Sequence, residues 1–163
     1  MNFSASAAAT LFRTGLVALG LMSVGLAHAD QGRYVVSADG QEVTDAQTKL
    51  VWQRCSLGQK WDGKTCAGKP TKLTFAQAKQ AAATAGAQWR LPKKEELLSL
   101  LEKSGKKVSI NKETFPNTTA TIFWAVRPEK NDNLNAWLVD FRNGHVFGNS
   151  GEAKFLVRLV HAS

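Results

Sequence analysis

Two helix signals stand side by side in the middle of this chain, and they constrain its fold more than any other feature. Thr74 and Gln77 have the spacing of a capping box, in which the Thr hydroxyl accepts the Gln77 N–H and the Gln side chain reaches back to Thr74. This spacing predicts a first helix to about Ala85, ended by Gly86 as a left-handed cap. The predicted inward stripe consists of Phe75, Ala78, Ala82 and Ala85.

A second helix is predicted after the segment Trp89-Arg90-Leu91-Pro92. Two carboxylates, Glu95 and Glu96, would complement the helix dipole in its first turn. The lysine-rich segment 103–107 would end the helix, because cations suit a helix C-terminus. The predicted buried face consists of Leu97, Leu98 and Leu101.

Strand signals stand on both sides of these helices. Before them, the patterns predict a first edge strand at 33–36 and a hairpin from 43–45 into 50–53. After them, the patterns predict strands at 122–126, 137–141 and 155–160, with Asn143-Gly144 as a two-residue hairpin turn into 145–147. This order predicts an α+β fold with two helices packed beside an antiparallel sheet.

Two cysteines, Cys55 and Cys66, lie in a basic, Gly-rich loop at 54–72. An even count in an exported chain favours a disulfide, and closing a loop of about 12 residues is worth roughly 3 kcal/mol. A reactive thiol or a metal site are the alternatives. Zinc takes about four ligands, and the only histidines after the N-terminal segment are His145 and His161. We therefore predict a disulfide-stapled loop, with no metal and no cofactor.

The N-terminal segment 1–29 has the pattern of a secretory signal peptide. Arg13 precedes the apolar run 14–26, which is shorter than the ~20 residues of a spanning helix. Ala27-His28-Ala29 is a small-x-small cleavage site. We expect an exported protein, periplasmic or extracellular, with 30–163 as a single domain and no membrane anchor after cleavage. An uncleaved anchor is the alternative.

The positive charge of the chain is regional. The formal charge is +8, and residues 60–112 hold 12 basic and 4 acidic side chains. Paired cations suit sulfate, phosphate or carboxylate groups spaced along a polymer, so we expect a polyanion-binding face. A solvated basic face that only maintains solubility is the alternative. The candidate residues are Lys93, Lys94, Lys103, Lys106, Lys107, Lys60 and Lys64, with Lys69 and Lys72 extending the patch. Lys103 and Lys107 would share a helix face if the second helix extends that far.

Aromatic residues suggest a smaller role in binding. Four of the five tryptophans stand in strand or motif contexts typical of a core, whereas Trp61 lies between the cysteines. We expect Trp61 either to stack on a ligand or to plug the loop onto the domain. Export and the lack of a recognised motif argue against nucleic acid as a partner.

Several short motifs together resemble the Lcl C-terminal domain family. They are Val43-Thr44-Asp45, Thr48, Leu50-Val51-Trp52, Trp89-Arg90-Leu91-Pro92, Glu96-Leu97, Phe123-Trp124, the strand 137–141 with Gly144, and Val157-Arg158-Leu159-Val160. The resemblance covers about 40–160. It implies a C-type lectin-like fold and a binding role, because the family is named for an exported collagen-like adhesin that binds sulfated glycosaminoglycans.

The chain departs from the family pattern at two lysines. Lys49 stands where the family usually has Gly, and Lys93 stands where it often has Thr, which removes a side-chain N-cap worth about 1 kcal/mol. The chain has no Glu-Pro-Asn or Gln-Pro-Asp triplet, so the calcium-dependent sugar site of true C-type lectins is not supported.

Three functions follow as expectations. The first is a non-catalytic, adhesin-like module that binds anionic polysaccharide through the lysines. The second is an envelope domain that docks on another protein, with incidental charge. The third is an oxidoreductase similar to the formylglycine-generating enzymes, which use a reactive cysteine pair. Cys55 and Cys66 precede both predicted helices, which does not match the placement of that pair, so we expect no enzyme.

Overall fold

The computed structural model describes Met1 and residues 32–104, 107–128 and 135–163. The predicted signal segment beyond Met1 lies outside the described residues, as does Lys106. Among the helices of the described part, none is long and apolar enough to cross a membrane.

The described chain forms two helices and eleven short strands in an α+β arrangement. The helices are α1 (Phe75–Ala85) and α2 (Lys94–Ser99). The strands are β1 (Tyr34–Val36), β2 (Glu42–Asp45), β3 (Leu50–Gln53), β4 (Lys60–Trp61), β5 (Cys66–Ala67), β6 (Leu101–Ser104), β7 (Lys107–Ile110), β8 (Ile122–Val126), β9 (Ala136–Asp140), β10 (Val146–Asn149) and β11 (Val160–Ala162).

The strands form four small antiparallel sheets rather than the single sheet predicted. One has the order β1-β2-β3-β11, and a second has the order β10-β9-β8. Two further pairs, β4-β5 and β6-β7, are two-stranded. The predicted edge strand and the hairpin from 43–45 into 50–53 are confirmed, with Val43 opposite Trp52.

Helix α1 begins with the predicted capping box. The Gln77 N–H donates to the Thr74 hydroxyl at 3.3 Å, and the Thr74 N–H donates to the Gln77 side-chain oxygen at 3.0 Å. Gly86 ends the helix with φ 131° and ψ 152°. Its backbone therefore does not adopt the left-handed helical conformation that was predicted. Three members of the predicted stripe are buried, but Ala85 in the last position is exposed.

Helix α2 is shorter than predicted and ends at Ser99. The buried leucine at its C-terminal end is Leu100, rather than the predicted Leu101. The chain then turns into the β6-β7 hairpin, in which Leu101 pairs with Ile110 and Lys103 with Val108. Because β-branched residues favour strands and Ile110 is buried in the core, the segment pairs as a hairpin instead of continuing the helix. Lys103 and Lys107 therefore do not share a helix face.

Two predictions in the last third also need correction. The connection between β9 and β10 spans 141–145 rather than two residues, with the Gly144 N–H bonded to the Asp140 carbonyl at 2.7 Å. The predicted strand at 155–160 is a strand only from Val160 onward. Residues before it bond to different elements in turn, Phe155 to Leu73 and Leu156 to Ile122, so no continuous ladder forms.

Two buried clusters fill the interior. The larger joins both main sheets and α2, and the smaller lies under α1. The larger contains Val43, Trp52, Leu97, Leu100, Phe115, Phe123, Val139 and Phe141, and the smaller contains Phe75, Ala78, Ala82, Leu91, Trp124 and Leu159. Trp52 and Trp124 are fully buried, as predicted, whereas Trp89 and Trp137, which were also predicted to be core residues, are only partly buried.

The stapled loop is anchored by the disulfide and by a buried arginine. Cys55 and Cys66 are bonded, with Cα atoms 5.4 Å apart, which confirms the predicted pairing. Arg158 is fully buried; it donates to the carbonyls of Gln53 and Arg54 and to the Ser56 and Thr118 hydroxyls. Burial lowers the pKa of the Arg158 guanidinium to about 9, so it stays charged at neutral pH.

Candidate functional site

Two cations meet on one indole ring at the surface. The Lys94 ammonium lies 4.5 Å from the centroid of the Trp137 ring, and the Arg127 guanidinium carbon lies 4.7 Å from the same centroid. These distances fall within the range of cation–π attraction. Together with Glu95, Val126 and Pro128, these residues line a depression of about 190 Å³, the Trp137 cleft.

The cleft is built from three separate parts of the chain. Lys94 begins α2, Trp137 lies in β9, and Arg127 follows the last residue of β8. The Val126 N–H donates to the Pro92 carbonyl at 2.8 Å, which ties the start of α2 to the end of β8. Because Val126 and Trp137 belong to neighbouring strands of one sheet, the cleft has a rigid floor.

An acidic neighbour reduces the charge of the cleft only partly. The Lys94 ammonium lies 3.7 Å from a Glu95 carboxylate oxygen, but the Glu95 side chain is 67 % exposed. Exposed ion pairs of this kind are worth little, because solvent screens them. Among the described lining residues, Lys94 and Arg127 are basic and Glu95 is acidic.

A second, wider depression adjoins the cleft through Val126. It measures about 480 Å³ and is the Trp89 groove, lined by Lys79, Ala82, Ala83, Trp89, Arg90, Leu91, Lys93 and Val126. Its floor is mostly apolar, whereas Lys79 and Lys93 are exposed. The two depressions place several basic side chains around the start of α2.

The junction between the groove and α2 is held by Arg90 and Glu96. The guanidinium donates two hydrogen bonds of 2.8 Å to the two carboxylate oxygens. These bonds raise the pKa of Arg90; burial pushes the pKa of Glu96 upward, but the bonds from Arg90 and from the Lys93 N–H outweigh burial and lower it. Arg90 thus positions the start of helix α2.

Lys93 occupies the N-cap position of α2 without capping it. The Lys93 N–H donates to Glu96 at 2.7 Å, but the ammonium side chain accepts no bond from the helix. A Lys side chain has no acceptor, so it cannot satisfy the free N–H groups of the first turn. The position therefore carries an exposed charge in place of a cap.

The candidate lysines fall into three groups. Lys93 and Lys94 lie at the start of α2, and Lys103 and Lys107 lie on the β6-β7 hairpin. Lys60 is in β4 and Lys64 in the following turn, both exposed.

The stapled loop is joined to the chain before β8, whereas the start of α2 is joined to the end of β8. Asn117 donates to the Cys66 carbonyl at 2.8 Å, while Lys93 forms a bridge with Val126.

Trp61 is held against the domain. The Arg54 guanidinium carbon lies 3.8 Å from the centroid of its ring, and Gly40 packs against the indole so closely that a Cβ there would lie 2.7 Å from Cδ1. Arg54 itself donates to the Thr114 carbonyl at 2.9 Å. These contacts favour packing of Trp61 against the domain over stacking on a ligand, since a ligand would have to displace Arg54 from that ring face.

The sequence analysis missed Trp137, Arg127 and Lys79 as site residues. Trp137 has the alternating pattern of a core strand, and it does pack partly against the larger cluster. Arg127 lies outside the basic region 60–112, so a count of charges by region does not identify it as a site residue. The local signal that could have identified Arg127 is its place in an Arg-Pro pair directly after a buried strand, because the side chain that follows a strand end is often exposed.

Asp140, His145 and His161 are titratable side chains that lie outside the lining of the two depressions. Asp140 accepts hydrogen bonds from Arg142, which lower its pKa. His145 is exposed, and His161 packs edge-on against Trp89 at 4.5 Å. Within the described ranges, no three metal-ligating side chains come together.

Comparison with known proteins gives one assignment. No curated protein matches the chain. The family model of the Lcl C-terminal domain matches residues 41–161, which include every element from β2 to β10 and both depressions. The chain belongs to the Lcl C-terminal domain family.

Proposed function

We propose that this protein is an exported, non-catalytic module that binds an anionic polysaccharide at the Trp137 cleft. The observation that carries the proposal is the convergence of Lys94 and Arg127 on one surface indole. The indole holds both cations at the rim of a depression, so an incoming sulfate or carboxylate meets donors already in place. Arg offers a planar fork to such groups and Lys a point charge, and bonds between charged partners are the stronger kind.

Lys93 supports the same surface. It stands next to Lys94, at a cap position where a Thr or Ser would stabilise the helix by about 1 kcal/mol. Lys93 therefore adds a cation to this surface at a position where its side chain does not cap the helix. The membership in a family named for a glycosaminoglycan-binding adhesin points the same way, and we infer a C-type lectin-like fold on the same ground.

Export and the lack of catalysis are part of the proposal. The disulfide fits an oxidising compartment. It also occupies both cysteines of the chain, whereas an enzyme with a reactive cysteine pair needs a free thiol.

The test compares three double variants that each remove two charges. The cleft variant is Lys94→Ala with Arg127→Ala, the hairpin variant is Lys103→Ala with Lys107→Ala, and the loop variant is Lys60→Ala with Lys64→Ala. Binding to a heparin oligosaccharide is measured by calorimetry at several salt concentrations. We expect the cleft variant to lose about tenfold in affinity and to show a shallower salt dependence, because fewer counterions are released.

The loop variant is the matched control and should change affinity less than about twofold. Equal losses in all three variants would mean that the net charge alone attracts the polymer, which would contradict a specific site. A further variant, Lys103→Ala with Lys106→Ala and Lys107→Ala, asks whether the hairpin lysines extend the binding surface.

Docking on another envelope protein is the second candidate, and β1 favours it. This strand lies at the edge of its sheet, and Val35 and Val36 are 41 % and 38 % exposed. Edge strands with apolar side chains can pair with a partner strand. Co-purification of one partner at moderate salt, lost in Val35→Lys, would support this function.

A further inference from the structure

The Trp89 groove differs in chemistry from the Trp137 cleft. Five of its eight lining residues are apolar, and its volume of about 480 Å³ falls in the range of small-molecule sites. The cleft is smaller, at about 190 Å³, and is flanked by charges. The groove is therefore suited to a ligand that has an apolar part.

Helix α1 provides one wall of the groove. Lys79, Ala82 and Ala83 have the i, i+3, i+4 spacing that places side chains on one helix face. The two alanines leave room that larger side chains would fill. Lys79 lies one turn before them and is exposed, and its ammonium lies 5.2 Å from the centroid of the Phe75 ring on the same helix.

The segment before α2 provides the opposite wall. Arg90 is paired through its backbone with Val160 at 3.0 Å in both directions, which holds Trp89 and Leu91 in position. Leu91 is 3 % exposed and forms part of the floor, and His161 supports the edge of Trp89. The groove is thus preformed by the fold.

The charge of the rim is positive. Arg90 is neutralised by its two bonds to Glu96, so Lys79 and Lys93 are the cations left for a ligand. Neither makes an ion pair within the described part of the chain, and none of the described residues that line the groove is acidic. An anionic group would be attracted to one edge of an apolar groove.

We propose that the Trp89 groove binds a small amphiphilic anion, namely a free alkyl carboxylate of medium chain length. The alkyl chain lies along Ala82, Ala83 and Leu91, and the carboxylate lies between Lys79 and Lys93. A protein partner is the competing occupant of this groove. This inference does not rest on polysaccharide binding at the cleft.

A chain-length series tests the proposal directly. Calorimetry with hexanoate, octanoate and decanoate, each below its micelle concentration, should show affinity rising about fourfold per added methylene until the groove is full. 1-Decanol, which lacks the charge, should bind at least about tenfold more weakly, and decyltrimethylammonium should not bind. Equal affinity for decanoate and 1-decanol, or no dependence on chain length, would overturn the proposal.

Two pairs of variants locate the site. Ala83→Trp fills the groove from an exposed helix position and should abolish decanoate binding, whereas Ala85→Trp, on the same helix outside the groove, should not. Lys79→Ala with Lys93→Ala should weaken decanoate by about tenfold and leave 1-decanol unchanged. Lys60→Ala with Lys64→Ala is the charge-matched control. Retained decanoate binding in Ala83→Trp would place the ligand elsewhere and overturn the assignment.

Two further readouts separate this proposal from others. Ala83→Trp should leave heparin binding unchanged, so either function can fail while the other stands. An acidic peptide with one leucine anchor serves as the competing occupant. If it binds more tightly than decanoate and is lost in Ala83→Trp, the groove is a protein-docking site and the proposal is wrong.

Discussion

The stapled loop and the start of α2 carry the same residue types and use them differently. Both have two lysines near a tryptophan that packs against an arginine. At the loop, Trp61 is closed off by Arg54 and Gly40, and this cation–π pair fastens the loop to the domain. At α2, the Trp137 ring faces a depression, and Lys94 and Arg127 lie at its rim. An aromatic residue beside basic residues is accessible to a ligand only where open space adjoins the pair.

Removal of the disulfide is expected to have the largest effect on stability. Cys55→Ser with Cys66→Ser should lower the free energy of unfolding by about 3 kcal/mol, because the unfolded chain regains the entropy of a short closed loop. Urea unfolding measures this loss. Heparin affinity at a temperature where the variant stays folded should be unchanged. A loss of affinity as large as that of the cleft variant would show that the loop belongs to the binding surface.

Gly40→Ala is expected to have the second largest effect and to lower the free energy of unfolding by about 2 to 3 kcal/mol, because a side chain there meets both backbone strain and the Trp61 indole. Gly40 has φ 72°. Gly63→Ala is the matched control, because Gly63 has φ 94° but no neighbour within 4 Å, so it should cost only about 1 to 2 kcal/mol.

A double-mutant cycle then tests whether Trp61 is a structural plug. In a Trp61→Ala background, Gly40→Ala should cost no more than the Gly63 control, and urea unfolding of the four proteins measures the coupling. Additive losses would mean that Trp61 does not rest on Gly40, and the contrast between the two tryptophans would fail.

The smallest effect is expected at Lys93, where stability and binding should move in opposite directions. Lys93→Thr should raise the free energy of unfolding by about 1 kcal/mol through a new N-cap. It should also lower heparin affinity by about threefold, since one cation is lost. Thermal unfolding and calorimetry measure the two effects. Lys94→Thr controls for the charge, because it adds no cap; a gain in stability there as well would refute the capping explanation.

Much of the fold could be predicted because its signals are local. The capping box at Thr74 needs four residues, and the hairpin from β2 to β3 needs two short alternating runs with a turn. The cysteine count predicts one pairing. By contrast, the end of α2 was predicted wrongly, since Leu101 fits a helical leucine pattern as well as a strand. Only the burial of Ile110, which pairs with Leu101, favours the hairpin over a longer helix.

The departures from the family pattern have one clear structural consequence. Lys49, where the family usually has Gly, adopts φ 58° in the turn between β2 and β3. The left-handed region costs a non-glycine residue on the order of 1 kcal/mol, so the lysine carries strain that a glycine would not. The family resemblance marked this position, but only the backbone shows what the substitution costs.

The α+β class, the capping box and the pairing of the two cysteines could be predicted from the sequence, because each depends on nearby residues or on simple counts. The regional excess of lysines also follows from such a count. Tertiary packing brings Lys94, Arg127 and Trp137 together from α2, the end of β8 and β9. The physical reason is that contacts across sheets and between distant segments depend on chain topology, and no local pattern of charge or hydrophobicity encodes that.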